Sequence, residues 1–141
     1  MIYVEEKDFS RQLDLLRYLS GLHRLIICSW LYPESTSTSV AGFPINNVPS
    51  NLQPTTIYAN GIRPRHTEPV EATAPNITAF EEAASEIAAN CDSLALYGEG
   101  EESWFAATIG HEGMCLVQDE SLFSSLSEAG YSVSMEPPSW W

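Results

Sequence analysis

Beyond Arg65 this sequence has no lysine or arginine. All six basic residues (Lys7, Arg11, Arg17, Arg24, Arg63, Arg65) come before that point, against five acids: Glu5, Glu6, Asp8, Asp14 and Glu34. From His66 to Trp141 there are fourteen acids, and the formal net charge of the chain is −13. Phosphate binding needs a basic stripe, so no direct binding to DNA or RNA is expected, and none to acidic membrane surfaces. A field of this sign attracts basic proteins from a distance, although ordinary solubility also produces acidic surfaces.

Cysteine is scarce and unpatterned. Cys28, Cys91 and Cys115 form no CxxC pair, and two of them sit in apolar runs (Ile26-Ile27-Cys28 and Met114-Cys115-Leu116). All three are expected to be reduced, buried residues. Long hydrophobic runs are missing as well. The longest, around Leu25 to Tyr32, is far too short to cross a bilayer. Glu5, Glu6 and Asp8 stand where a secretion leader would carry its basic start and apolar centre. The expected location is therefore the cytoplasm, with no membrane partner.

Catalytic signatures are absent. No GxSxG, HExxH or SxxK occurs. His111-Glu112 supplies the first two positions of a zincin motif, but Cys115 stands where its second histidine would be. In a strand, His111 and Cys115 would lie about 13 Å apart at about 3.3 Å per residue. His23, His66, Cys28 and Cys91 offer no ligand spacing, so no metal and no cofactor are expected. The glycines of Gly98-Glu99-Gly100 do not make a phosphate loop, because Glu99, Glu101 and Glu102 repel the anion that glycine amides attract. No catalytic residue is assigned.

The residues present describe one globular domain over 1–141. Hydrophobic side chains make up 44% of it, enough for a core without disulfides or metal. Phe9, Leu13 and Leu16 repeat at helical spacing over residues 8 to 20, with Asp8 as N-cap and Gly21 as terminator. His23 to Tyr32 reads as a central buried strand. Residues 33 to 56 form a long loop rich in Pro, Ser, Thr and Asn, which Phe43, Ile45, Val48 and Leu52 could tack onto the core. A short strand at Thr55 to Tyr58 precedes the turn dipeptide Asn60-Gly61.

Thr78-Ala79-Phe80-Glu81 has the form of a capping box for a helix to about Asn90, burying Phe80, Ala83, Ala84, Ile87 and Ala88. Ser93 to Tyr97, Ser103 to Ile109 and Met114 to Gln118 are three apolar runs joined by glycine-containing turns, an antiparallel meander. Asp119 caps a short helix over Leu122, Phe123 and Leu126, and Tyr131 to Met135 is a last strand. The pattern predicts an α+β fold. It has a single antiparallel or mixed sheet of about five strands, with helices mainly on one face.

What remains for function is a binding surface. In a meander the turn holding Glu99, Glu101 and Glu102 and the pair Asp119-Glu120 share one end of the sheet, with Glu112 at the other. Like charges held together cost stability through self-repulsion, which a basic partner would relieve. Trp140 and Trp141, after Pro137-Pro138, either fold back over the sheet or serve as interface anchors. Trp30 and Trp104 fall within strands and read as core.

From Phe80 to Trp141 the chain resembles the immunity proteins that accompany bacterial polymorphic toxins of contact-dependent or type VI secretion. The likeness rests on the hairpin sequence from Ser93 to Gly110, on the acidity of a short α+β chain and on the lack of a catalytic constellation. It implies a protein that covers the cleft of a basic toxin domain, one expected to act on nucleic acid. Three alternatives stay open. One is a DNA-mimic or phage-type inhibitor with phosphate-like charge spacing. The second is a small enzyme built around a buried His111, and the third is a secretion chaperone or adaptor with an exposed apolar groove.

Overall fold

The fold is described from a computed structural model of residues 1–141, Pro49, Ile57, Ala59, Asn60 and Ile62 excepted. The predicted strand at Thr55 to Tyr58 and its Asn60-Gly61 turn depend on those positions and lie outside the described residues.

The meander is formed as the turn chemistry dictates. β6 (Cys91–Gly98), β7 (Trp104–Ile109) and β8 (Met114–Val117) pair antiparallel in sequence order. The first-half strand β2 (Leu25–Leu31) lies antiparallel to β6, so the sheet crosses the middle of the chain. β1 (Ile2–Glu5) pairs with β8, and β9 (Ser132–Ser134) forms the edge beyond β1. β5 (Val70–Glu71) closes the opposite edge against β2. Among the described residues the sheet therefore has seven strands, in the order β5-β2-β6-β7-β8-β1-β9, rather than about five. The undercount comes mainly from β1. Its four residues are too short to show a period, and its partners lie more than a hundred residues away.

The α+β class and the one-sided helices hold. α1 (Phe9–Leu22), α2 (Ala74–Glu82), α3 (Ala84–Asn90) and α4 (Phe123–Glu128) all contribute to one apolar cluster on a single face of the sheet. Leu13, Leu15, Leu16 and Leu19 of α1 meet Ile27 and Leu31 of β2, Leu94 and Leu96 of β6 and Val4 of β1 there, all essentially without solvent exposure. Each such side chain stabilises by roughly 1.5–3 kcal/mol relative to an exposed position. Asp8 caps α1 by accepting from the Ser10 amide. Gly21, however, lies inside the helix, which ends when His23 turns extended. Asp119 likewise caps a 3-10 turn (Glu120–Leu122) leading into α4.

The capping box at Thr78 is not used. The helix starts a turn earlier, with Thr73 accepting from the Asn76 amide and Pro75 in the first turn, where its missing N–H costs nothing. Thr78 and Glu81 bind Arg17 of α1 instead. Phe80 and Ile87 are buried as expected, but Ala84 and Ala88 are exposed.

The long loop packs on both faces of the sheet: Val40, Phe43 and Ile45 join the helical cluster, and Leu52 covers the opposite face. β3 (Ser39–Val40) and β4 (Phe43–Pro44) form a small hairpin within it, turning through Ala41 and Gly42, both with positive φ. Phe43 stacks on Phe80, and Ile45 is buried beside Thr67. Leu52 packs against Cys28, Trp30, Ala95, Tyr97 and Ala107, whereas Val48 points to solvent, 70% exposed. The three cysteines are free thiols and buried, as expected. Trp30 is core and Trp104 half-buried against it. Among the described residues, no helix is long and apolar enough to cross a membrane.

Candidate functional site

The two ends of the sheet carry different chemistry. At the end where β6 turns into β7, Glu99, Glu101 and Glu102 are exposed. The turn is pinned by the Glu101 amide donating to the Gly98 carbonyl and the Gln53 amide donating to the Glu102 carbonyl. β8 ends beside it, bringing Asp119 and Glu120 to the same end as the meander requires. Glu71 joins them through the pairing of β5 with the start of β2.

Folding also delivers counter-charge that the sequence order hides. The Met1 ammonium pairs with Glu120, and Arg24 lies 3.7 Å from Glu99 and 3.9 Å from Glu71. Among the described residues, six carboxylates thus share this end with the Met1 ammonium and Arg24. Such exposed pairs are worth only about 0–1 kcal/mol each. Glu101 and Glu102 have no ion pair among the described residues. Asp119 is committed to its cap, accepting from both the amide and the hydroxyl of Ser121, which hold its carboxyl below the usual range.

Glu112 sits at the opposite end, in the 3-10 turn (Gly110–Glu112) between β7 and β8. Trp140 joins it there, lining a shallow hollow with Glu5, Lys7, His111 and Gly113. Trp141 packs edge-on against Tyr3, on the face away from the helices. Both tryptophans remain about half exposed, at 55% and 49%. Folding back over the sheet is therefore partial. The eight residues singled out from the sequence divide between two ends and do not form one patch.

A second feature at this end had not been singled out. Between α1, α3 and the β6–β7 strands lies a cavity of about 410 Å³. Phe9, Ala84, Ile87 and Ala88 line one side, and Gln12, Tyr32, Cys91, Asp92, Thr108 and His111 are among its polar lining. Asp92 is there because the pairing of β2 with β6 slips by one residue. Trp30 faces Ser93 but Leu31 faces Cys91, so Asp92 is the extra residue of a bulge. Bulges of this kind re-aim a side chain.

The Asp92 side chain is only 2% exposed. His111 Nδ1 approaches its Oδ1 to 2.9 Å but without hydrogen-bond alignment, so neither carboxylate oxygen receives a hydrogen bond. Gln12 Oε1 in the same lining is also buried without a donor, while its Nε2 donates to the Glu6 carbonyl. Burial, reinforced by the Asp92 carboxylate, raises the phenols of Tyr32 and Tyr58.

Among the described residues the cavity lining presents no positioned nucleophile. The Ser93 hydroxyl is bonded to Thr55, and the Thr108 hydroxyl accepts from the Leu94 amide. Burial pushes the Cys91 thiol up to about 11. Among the described residues none of these groups is hydrogen-bonded to His111, whose Nε2 lies 3.4 Å from Glu112. Nor do three His, Cys, Asp or Glu side chains converge as a metal site would require. The faint sequence signals for the cavity were Gln12 on the apolar stripe of α1 and Asp92 at the head of an apolar strand. No protein-family model, curated protein or solved structure matches the chain.

Proposed function

We propose that the chain is an acidic binding protein that neutralises a basic protein partner by covering its active cleft, in the manner of a bacterial immunity protein. The observation that carries this reading is the pair Glu101 and Glu102. They stand exposed on a turn fixed by backbone hydrogen bonds, beside Glu99 and Glu120, with no ion pair of their own among the described residues. The basic residues of the helical face are meanwhile occupied internally, Arg11 by Glu6 and Arg17 by Asp14 and Glu81. Arg63 and Arg65 donate to loop carbonyls.

A cleft that holds phosphates is necessarily basic, so a toxin domain acting on nucleic acid is the partner this surface complements. Occlusion then needs no chemistry from the chain itself. The carboxylates speed encounter, and shape complementarity around them excludes substrate. Such a protein works in the cytoplasm, where the toxin would otherwise reach its target. Glu71, Glu99, Glu101, Glu102, Asp119 and Glu120 lie at one end of the sheet, with Glu112 at the other.

The test is rescue. A toxin-like C-terminal domain encoded beside this chain should stop growth when expressed alone and fail to do so when the chain is co-expressed. Glu101→Lys with Glu102→Lys should abolish protection, while Glu82→Lys on α2 should leave it intact. Full protection by the doubly reversed chain would overturn the proposed docking end.

A further inference from the structure

We infer that the cavity beside α3 binds an organic cation, an ammonium or guanidinium head on a short apolar stem, with the head against Asp92 and Gln12. The inference stands apart from the docking reading, because it concerns the other end of the sheet and a different kind of ligand.

Three acceptor atoms, Asp92 Oδ1 and Oδ2 and Gln12 Oε1, are buried with no donor, although Asp92 and Gln12 are each 2% exposed. Leaving such groups unsatisfied costs about 1–3 kcal/mol each, more for a charged one, so the arrangement calls for a donor from outside. A neutral hydroxyl supplies one hydrogen bond. An ammonium supplies three and a guanidinium five, together with the opposite charge.

Of the chain's own side chains, His111 reaches Asp92 from the mouth, its Nδ1 2.9 Å from Oδ1 without an aligned hydrogen bond. That leaves Oδ2 and Gln12 Oε1 open to an incoming head, and Lys7 lines the cavity without an ion pair to Asp92. The remaining wall suits a stem: Phe9, Ile87, Ala84 and Ala88 are apolar, and a volume near 410 Å³ falls within the usual range for small-ligand pockets. The bulge that turns Asp92 into this space is the local irregularity that makes the site.

The head-group chemistry is shared by a free alkylamine and by a lysine or arginine side chain of another protein, and probes separate the two. The full chain is titrated, by amide chemical shifts, with n-butylammonium, n-butylguanidinium, and the acetyl-methylamide derivatives of lysine and arginine. The neutral control is n-butanol. Saturable shifts are expected around Asp92, Ala88 and His111 with at least one cation and none with n-butanol. Asp92→Asn should weaken binding about tenfold or more, as loss of a charge-assisted contact implies. Ala88→Phe, at an exposed position on the rim, should block entry. It decides the matter if the Asn variant does not fold. Binding of the alkyl cations alone assigns a free amine, and equal binding of the capped amino acids assigns a side chain. No saturable binding by any of the four cations, or equal binding by the folded Asn and Phe variants, would overturn the inference.

Discussion

The indole N–H of Trp30 donates to the Tyr97 hydroxyl at 2.9 Å across β2 and β6, and that hydroxyl donates in turn to the Gln53 carbonyl at 2.7 Å. The relay ties the long loop to the face of the sheet that has no helices. It leaves no polar atom of either aromatic ring without a partner in an otherwise apolar cluster. Tyr97→Phe would strand the Trp30 donor and the Gln53 acceptor together. The expected loss is about 1–3 kcal/mol in denaturant unfolding, with little change in m.

Gly113 ends the 3-10 turn with φ of +62°, and a Cβ there would approach Lys7 Cγ to 2.8 Å. Gly113→Ala should therefore cost more than the roughly 1–2 kcal/mol that left-handed backbone alone imposes. It should also disturb the amide signals of Lys7 and His111 at the cavity mouth. A neutral substitution would mean that the turn does not hold this conformation.

His66 packs on Trp30 with its Nε2 buried and unsatisfied, and burial lowers its pKa below the ordinary 6.5. The unfolded chain takes up a proton as pH falls through 6.5, while the folded chain resists. Stability is thus full above that value and declines below it. His66→Phe should flatten this decline. Glu81 and Asp119, held below the usual carboxylate range by their hydrogen bonds, titrate at lower pH and do not obscure it. Thermal unfolding across the acidic range, wild type against His66→Phe, reads the difference directly.

The thiols of Cys28 and Cys115 are pushed far up by burial, and Cys91 to about 11. Thiolate is the reacting species, so a disulfide reagent at neutral pH should modify Cys28 and Cys115 only on unfolding, and Cys91, on the cavity wall, earlier but slowly in the native chain.

Legibility in the sequence followed the range of the interactions. α1, β2, the meander and the Asp119 cap are written in local patterns, and each formed within a few residues of its expected bounds. The short β1 was invisible because only its pairing with β8 and β9 makes it a strand. Thr78 and Glu81 matched a capping box, but Pro75 fixes an earlier start and Arg17 claims both side chains. At the acidic end the meander geometry placed Glu99 to Glu102 with Asp119 and Glu120. Chain order could not reveal that Arg24 and the Met1 ammonium would arrive there too. The Asp92 cavity depends on a register slip, which no residue pattern announces.

The most direct measurement is the association rate of the chain with the proposed toxin partner as a function of salt. Between about 0.01 M and about 1 M the Debye length shrinks from about 30 Å to about 3 Å, and a carboxylate-steered encounter should slow steeply. Reversing Glu101 and Glu102 to lysine should remove most of that dependence. A rate indifferent to salt, or unchanged by the reversal, would contradict the proposal that this end of the sheet meets a basic protein.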